Sequence, residues 1–453
     1  MKTTKIIRIF LIILILIILA VKAFKTLKLR SEAKPERNLP DKKYLVFEMT
    51  NVADLEPAIK KLVKILDPNN NRSKRMFGFG VNCIPLLSRS ISNLQNKINN
   101  GFDLAEKYDV PVFFHIDPMY GFGSIPQPLK EKAPEIEYWK HPKMCEWVNF
   151  PTNGQSHGKV PRSWINWGSW LVTASANPCF ESPHFKKFVT AQLKNGIAKV
   201  ITKRLKKLRK EKKEYLFIGL NIGWETHLIN NRKCLTEKQS IVCMYDTNMV
   251  MQKWETAQSG YAALHYKGWN EKKLIAEAKK QNISKEKLFY DFCGQIVHDY
   301  LELLAKSAYE AGLPTDKIYT HIVAVQSVET NTVNTDFPPI WAAVNDYSIP
   351  GFTLCNESGA TYDIKELKKL IKNADPKKDK FAAIETYLSH HKTEKRFTDY
   401  MNEVFQEDNP IMVIYGALQN DNHGINPKPA NETKAIINWL RPPAKRYEMT
   451  GKQ

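Results

Sequence analysis

Two glutamates of this chain each follow a short apolar run, and this placement is the first indication of where its chemistry lies. Glu225 ends the run 215–225, and Glu385 ends the run 381–385. Both runs are short and rich in β-prone residues, which favours buried strands of a parallel sheet over helices. A carboxyl group at the exit of a buried strand can act as a general acid, a general base or a nucleophile. The alternative is that Glu225 is an ordinary loop carboxylate paired with a nearby lysine.

Other polar side chains follow apolar runs in the same way. We expect them to bind hydroxyl groups of a ligand or to orient the two glutamates, although each could instead be hydrogen bonded within the protein and contact no ligand. They are His115 and Asp117 (run 110–117), His321 (run 317–324), Glu357 (just after run 349–354) and Tyr415 (run 410–416). Glu357 is also the rival of Glu385 as a nucleophile, but its neighbour Asn356 begins a glycosylation sequon, and a glycan there would crowd the site.

The elements that position these residues alternate between short apolar runs and longer amphipathic segments. Helical spacing of apolar residues predicts helices over 54–66, 91–108, 184–212, 285–311, 364–371 and 395–405. The predicted strands are 44–49, 76–81, 110–117, 215–225, 317–324, 349–354, 381–385 and 410–416. Eight strands with intervening helices indicate an α/β fold, a (β/α)8 TIM barrel with long loop insertions after strands 3 and 4. An open doubly wound sheet is the alternative, but the chain has neither Gly-x-Gly-x-x-Gly after a first strand nor a P-loop.

A barrel brings all of the loops that follow its strands to one face. Glu225 and Glu385, on the predicted fourth and seventh strands, would then lie on opposite sides of the barrel mouth. This arrangement suits hydrolysis of a glycosidic bond, in which one carboxylic acid protonates the departing oxygen and a second carboxylate attacks the anomeric carbon. A separation of about 5 Å would indicate retention of configuration and about 6.5 to 9.5 Å inversion, whereas more than about 10 Å would exclude the interpretation.

The two insertions are rich in aromatic residues. The first, between Asp117 and Pro183, contains Trp139, Trp147, Trp164, Trp167 and Trp170. Exposed indole faces are good platforms for sugar rings, and long loops in a compact domain are usually functional. We expect only one or two of these tryptophans to contact a ligand, with Trp170 among them, and the others to pack the loop onto the barrel.

The amino terminus carries a targeting signal. Basic residues precede the apolar segment 9–21, which predicts a signal peptide or an uncleaved signal-anchor within residues 1–24, spanning roughly 6–24. Residues 25–42 are charged, contain two prolines and read as a linker, which leaves 43–453 for the barrel. The chain is therefore expected to be secreted or membrane-anchored, with its bulk outside the cytoplasm.

The formal net charge of +20 allows adhesion to anionic polysaccharide, membrane headgroups or nucleic acid. The nucleic-acid interpretation is discounted because the basic residues spread over amphipathic segments and no zinc-finger, helix-turn-helix or RNP signature occurs. No Cys-x-x-Cys or His-Glu-x-x-His motif supports a metal site, so neither a metal nor another cofactor is expected. Cys234 and Cys243 could form one disulfide, and sequons begin at Asn71, Asn282, Asn356 and Asn431.

The order of strands, with Glu225 closing the fourth and Glu385 closing the seventh, resembles the clan-A retaining glycoside hydrolases. The resemblance covers roughly residues 43–420 and implies that Glu225 is the acid/base, Glu385 the nucleophile, and an oligosaccharide, polysaccharide or glycoconjugate the substrate. In many of those enzymes an asparagine precedes the acid/base glutamate, whereas here Trp224 does. This departure removes the usual contact to a sugar 2-hydroxyl and makes Trp224 itself a candidate substrate contact.

Two other classes of function remain open. A carbohydrate-binding ectodomain without catalysis would keep the aromatic loops but would not need the two glutamates close together. A metal-assisted barrel hydrolase could use His115, Asp117 and His321, although these residues show no diagnostic spacing.

Overall fold

The structure is a computed structural model that describes most of the chain from residue 42 onward. The described ranges are 42–49, 55–66, 74–119, 141–160, 163–166, 172–175, 177–228, 258–324, 337–354, 364–386, 394–406, 409–415, 419–420, 424–425 and 430–440. The predicted signal segment, the linker up to residue 41, and Cys234 and Cys243 lie outside them.

The centre of the fold is a nine-stranded sheet in which every neighbouring pair is parallel. Its members are β1 (Lys43–Met49), β2 (Arg75–Pro85), β3 (Val112–Asp117), β6 (Phe217–Asn221), β7 (Ile318–Tyr319), β8 (Ile322–Val323), β9 (Gly351–Thr353), β10 (Ala382–Thr386) and β11 (Ile411–Ile414). The order across the sheet is β7-β6-β3-β2-β1-β11-β10-β9-β8. Since only Thr320 and His321 separate β7 from β8, this one segment joins both ends of the sheet. The predicted barrel is confirmed.

Two apolar layers follow from the alternation of side chains along the strands. One layer fills the barrel interior and includes Tyr44, Val46, Phe113, Tyr319 and Val413. The other, much larger, packs the outward-facing strand residues against the surrounding helices. An interior filled by bulky side chains leaves only the carboxyl ends of the strands open for a ligand.

Helices cover the outside of the sheet. They are α1 (Leu55–Leu66), α2 (Ile91–Tyr108), α3 (Pro183–Ala191), α4 (Lys199–Lys210), α5 (Tyr261–Tyr266), α6 (Glu271–Lys280), α7 (Lys285–Glu310), α8 (Ile364–Ala374), α9 (Glu394–Gln406) and α10 (Ala430–Leu440). A π-helical stretch, Gln192–Ala198, joins α3 to α4, so the predicted helix 184–212 is continuous but not regular. Among the described residues, no helix is both long and apolar enough to cross a membrane, and the predicted anchor 6–24 is not among those residues.

The described parts of the two insertions hold each other through a buried carboxylate. Glu146, in the first insertion, accepts backbone N–H groups from Trp147 and, in the second, from Gly260, Ala262 and Ala263, over 3.0 to 3.2 Å. The first insertion also forms an antiparallel pair of β4 (Ser163–Asn166) and β5 (Val172–Ser175). The remaining parts of both insertions lie on residues that the structure does not describe.

Candidate active site

A polar layer lies directly above the apolar barrel interior. Except for Asn82 and Glu385, its members follow an interior residue by two positions or end a strand, so the period of two that buries Val46, Phe113 and Val413 also directs their side chains inward. They are Glu48 (β1), Asn82 (β2), His115 (β3), Asn221 (β6), His321 (between β7 and β8), Thr353 (β9), Glu385 (β10) and Tyr415 (after β11).

Glu225 lies four residues beyond the end of β6 and not at the strand end that its sequence predicts. Its backbone φ is 40°, in the left-handed region that costs a residue with a side chain roughly 1 kcal/mol or more. Two contacts hold it there: its backbone N–H donates to Nδ1 of His321 (3.3 Å), and the N–H of Thr226 donates to the His321 carbonyl (3.0 Å). Its carboxylate Oε1 accepts the hydroxyl proton of Thr353 at 2.8 Å.

The turn that delivers Glu225 depends on Asn221 and Gly223. The Asn221 side chain accepts the Gly223 N–H (3.3 Å) and donates to the Gly223 carbonyl (2.6 Å), which bends the chain at the strand exit. A Cβ at Gly223 would lie 2.9 Å from the backbone nitrogen of His321 and 3.0 Å from its carbonyl oxygen. Glycine is therefore required for this loop to approach the β7–β8 segment.

Glu385 belongs to β10, where simple alternation would turn it outward, since Ala383 belongs to the outer layer and Ile384 to the interior. The register of β10 against β9 shifts between Ala383 and Glu385, and such irregularities re-aim side chains at barrel rims. The Glu385 carboxylate consequently lies 4.0 Å from Nε2 of His321. One oxygen each of Glu385 and Glu225, together with a His321 nitrogen, all lie within 4.8 Å of one another.

His321 connects these groups. Its Nε2 lies 2.7 Å from the Thr353 hydroxyl, and its Nδ1, besides receiving the Glu225 N–H, lies 3.4 Å from Nε2 of His115. Burial, together with the neighbouring His115, holds the pKa of His321 well below its usual range. The ring is therefore neutral at physiological pH and can accept at one nitrogen while donating at the other.

His115 is only 1% exposed, so its ring contacts protein groups and not solvent. Its Nδ1 lies 3.3 Å from the carboxylate of Glu48, its Nε2 lies 3.1 Å from the Gly223 carbonyl, and its ring lies 4.5 Å from that of Trp224. Trp224 is also buried. Both residues, which the sequence predicts to contact a substrate, are thus surrounded by protein groups.

The other predicted contacts have different settings. Asp117 is fully buried and accepts the Met119 N–H at 3.0 Å. Tyr415 is half-buried, and its hydroxyl accepts from the Asn82 amide at 3.4 Å. Trp147 is buried against His265 of α5, as a packing residue would be. Trp170 and Glu357 lie outside the described residues.

Four members of the polar layer were missed by sequence reasoning: Glu48, Asn82, Asn221 and Thr353. Glu48 is 0% exposed, and Gly80 leaves the space for it, since a Cβ there would lie 2.4 Å from Glu48 Oε2. The sequence did contain a signal for Glu48, because Tyr44, Val46 and Glu48 are spaced two positions apart and so lie on the same face of β1. Thr353 gave no such signal, since threonine is common in strands for its backbone preference alone.

Glu225, His321 and Glu385 are also a group that could hold a divalent metal ion. Two carboxylates and an imidazole are suitable ligands, but the imidazole would need a free lone pair on Nε2. Because Nδ1 of His321 accepts the Glu225 N–H, the proton of the neutral ring belongs on Nε2, where it donates to Thr353. The donor set therefore fits a metal poorly without a rearrangement of His321.

Comparisons with solved structures agree with the architecture. The catalytic domain of a beta-amylase from Paenibacillus polymyxa aligns with a TM-score of 0.52 and 9% identity, over 90% of this chain and all of that domain. A beta-galactosidase from the psychrophilic Marinomonas ef1 aligns with a TM-score of 0.47 and 10% identity, over 88% of this chain and 59% of that one. A GH5-4 broad specificity endoglucanase from an uncultured bacterium aligns with a TM-score of 0.43 and 7% identity, over 89% of this chain and 95% of that one.

At these identities only the fold is shown, and the beta-amylase domain, whose TM-score is above 0.5, supports it. No protein-family model matches the sequence, and no curated protein matches it either. The likeness to the beta-amylase domain therefore shows the fold alone, a parallel β/α barrel.

Proposed function

We propose that this protein is an exported glycoside hydrolase in which Glu225 is the general acid/base and Glu385 the nucleophile. The observation that carries the proposal is the approach of the two carboxylates, with an oxygen of each within 4.8 Å of the other at the barrel mouth. A short separation suits a retaining enzyme, because an inverting enzyme needs room for a water molecule between its carboxylates.

The reaction divides into two displacements. In the first, the Glu385 carboxylate bonds to the anomeric carbon while the bond to the leaving oxygen breaks and Glu225 gives that oxygen its proton. In the second, the Glu225 carboxylate takes a proton from water as the water oxygen attacks the anomeric carbon and releases Glu385. The two glutamates sit in different surroundings, as two such roles require: Glu225 is half-buried and bonded to Thr353, whereas Glu385 is 6% exposed.

A panel of aryl glycosides tests the proposal, using the wild type, Glu225→Gln and Glu385→Gln. Glu366→Gln, on the surface of α8, is the matched control, since its contact with Lys369 is exposed and contributes little to stability. We expect both site variants to lose at least about a thousandfold in kcat/KM and the control to lose nothing. Full activity in both site variants would remove the basis of the assignment. Sugar binding without turnover in the wild type would instead favour the carbohydrate-binding ectodomain.

A second candidate is metal-assisted chemistry on a sugar, favoured by the group of Glu225, His321 and Glu385. It predicts that a chelator abolishes activity and that manganese or zinc restores it. The hydrogen bonds of His321 argue against it, and the chelator experiment separates the two candidates directly.

Export forms part of the proposal on the strength of residues 1–24 alone. Expression of the full chain and of a chain beginning at residue 25, followed by fractionation, checks it. Export of the shortened chain to the same extent would contradict the targeting role.

A further inference from the structure

The polar layer beneath Glu225 contains a row of hydrogen bonds whose direction is fixed by two backbone groups. At one end, the Gly223 carbonyl can only accept, so Nε2 of His115, 3.1 Å away, carries a proton. At the other, the Glu225 N–H can only donate, so Nδ1 of His321, 3.3 Å away, carries none. Because burial keeps His321 neutral, its one ring proton then lies on Nε2.

The remaining links follow from these two. Nε2–H of His321 donates to the Thr353 oxygen at 2.7 Å, which leaves the Thr353 hydroxyl proton for Oε1 of Glu225 at 2.8 Å. Nε2–H of His115 points toward the lone pair of His321 Nδ1 over 3.4 Å as well as toward Gly223. At the far end, Nδ1 of His115 lies 3.3 Å from Oε1 of Glu48.

We propose that Glu48, His115, His321 and Thr353 are positioning residues that present one permanent hydrogen-bond donor, the Thr353 hydroxyl, to Oε1 of Glu225. The catalytic consequence of this arrangement rests on the proposed function. Because Oε1 of Glu225 accepts the Thr353 hydroxyl, the proton that Glu225 gives to the leaving oxygen resides on Oε2. His321 thereby holds Glu225 at both its backbone N–H and, through Thr353, its carboxylate.

The donor also sets the acidity of Glu225. A hydrogen bond donated to a carboxylate favours its charged form and lowers its pKa. Thr353 would thus offset the tendency of burial and of the nearby Glu385 charge to raise it. Removing the hydroxyl should move the Glu225 pKa upward, which a purely structural contribution of Thr353 would not do.

The test compares Thr353→Val, which has nearly the same shape but no hydroxyl, with Thr353→Ser, which keeps the hydroxyl. The alkaline limb of the pH profile of kcat/KM reports the essential acid of the free enzyme. We expect this limb to move up by about one pH unit in Thr353→Val and back toward the wild-type position in Thr353→Ser. A limb that stays in place in Thr353→Val, whatever the loss of rate, would overturn the proposal.

A second readout needs no substrate and separates this inference from the proposed function. Nitrogen-15 spectra of the histidine rings, assigned with His115→Asn and His321→Asn, report which ring nitrogen carries the proton. We expect the Nε2–H form for His321, and a carboxyl carbon of Glu225, assigned with Glu225→Gln, that titrates at higher pH in Thr353→Val. A proton on Nδ1 of His321 would overturn the proposal. If no glycoside is hydrolysed, the proposed function fails, while these spectra still decide the direction of the hydrogen bonds.

Discussion

The backbone N–H of Glu225 donates to the imidazole of His321 at 3.3 Å, although the two residues are 96 positions apart in the chain. This contact helps to keep Glu225 at a φ of 40°, which a residue with a side chain rarely adopts. Strain of this kind persists only where surrounding contacts hold it, and it concentrates at functional sites. This hydrogen bond connects the loop after β6 to the segment between β7 and β8.

The strained backbone at Glu225 predicts that the residue best for stability at this position differs from the glutamate that activity requires. Glu225→Gly should be more stable than Glu225→Ala by about 1 kcal/mol, because glycine adopts a positive φ without a steric cost. Neither variant should hydrolyse a substrate. Urea unfolding of the two proteins measures the difference, and equal stabilities would show that the positive φ is not maintained in solution.

Gly223→Ala should damage the site more than the fold. The added Cβ would lie 2.9 Å from the backbone of His321, so the loop must shift away and displace the Glu225 carboxylate. We expect a loss of about 1 to 3 kcal/mol in stability and at least a hundredfold loss in kcat/KM. Thermal unfolding and steady-state kinetics check the two effects, and a variant with wild-type kinetics would contradict the close approach.

Glu48 should matter for stability through its pairing with His115. Glu48→Leu leaves the buried Nδ1 of His115 without that partner and should cost about 2 to 4 kcal/mol. Glu48→Gln should cost less, since its amide can still donate to Nδ1. Urea unfolding of both variants tests this order, and a leucine variant as stable as the glutamine variant would count against the pairing.

Glu146 predicts a pH dependence of stability. Burial raises the pKa of Glu146 to about 7, and the backbone N–H groups of Gly260, Ala262 and Trp147 offset part of that rise. Between its ordinary pKa of 4.5 and about 7, the folded chain holds this proton more tightly than the unfolded chain. Its contribution to the free energy of unfolding is therefore largest below pH 4.5 and falls, by at most about 1.4 kcal/mol per unit, as pH rises to 7.

Glu146→Gln has no proton to lose in this range, which makes it the comparison for the wild type. Urea unfolding of both proteins from pH 4.5 to 7.5 gives the difference directly. The wild type should lose stability relative to the variant as pH rises, and parallel curves would exclude a titration at Glu146.

Much of the fold could be predicted because its elements carry strong local patterns. The helix 91–108 matches its prediction at both ends, where Ser90 caps the first turn and Asp109 adopts a left-handed conformation after the last. The fifth predicted strand is instead two short segments interrupted at Thr320 and His321. That interruption depends on close packing against Gly223, a tertiary contact that no local pattern reports.

The candidate site, like the fold, could be predicted from the sequence only in part. Glu225 and Glu385 could be selected because glutamate after an apolar run is conspicuous, yet their separation depends on a bulge in β10 and a turn at Gly223. His115 lies within β3 and Trp224 lies three residues beyond the end of β6, and both side chains are buried. Period-two alternation says which face a side chain takes, but it does not say how deep in the barrel that side chain lies.

The most direct test of the central claim is to trap the covalent intermediate. A slow 2-deoxy-2-fluoro glycoside with a good leaving group, of the sugar that the aryl glycoside panel identifies, should leave its sugar bonded to the nucleophile. Peptide mass spectrometry should find the label on Glu385 in the wild type and no label in Glu385→Gln. A label on Glu225 or on Glu357 would contradict the assignment of roles, and so would an active enzyme that inverts the anomeric configuration.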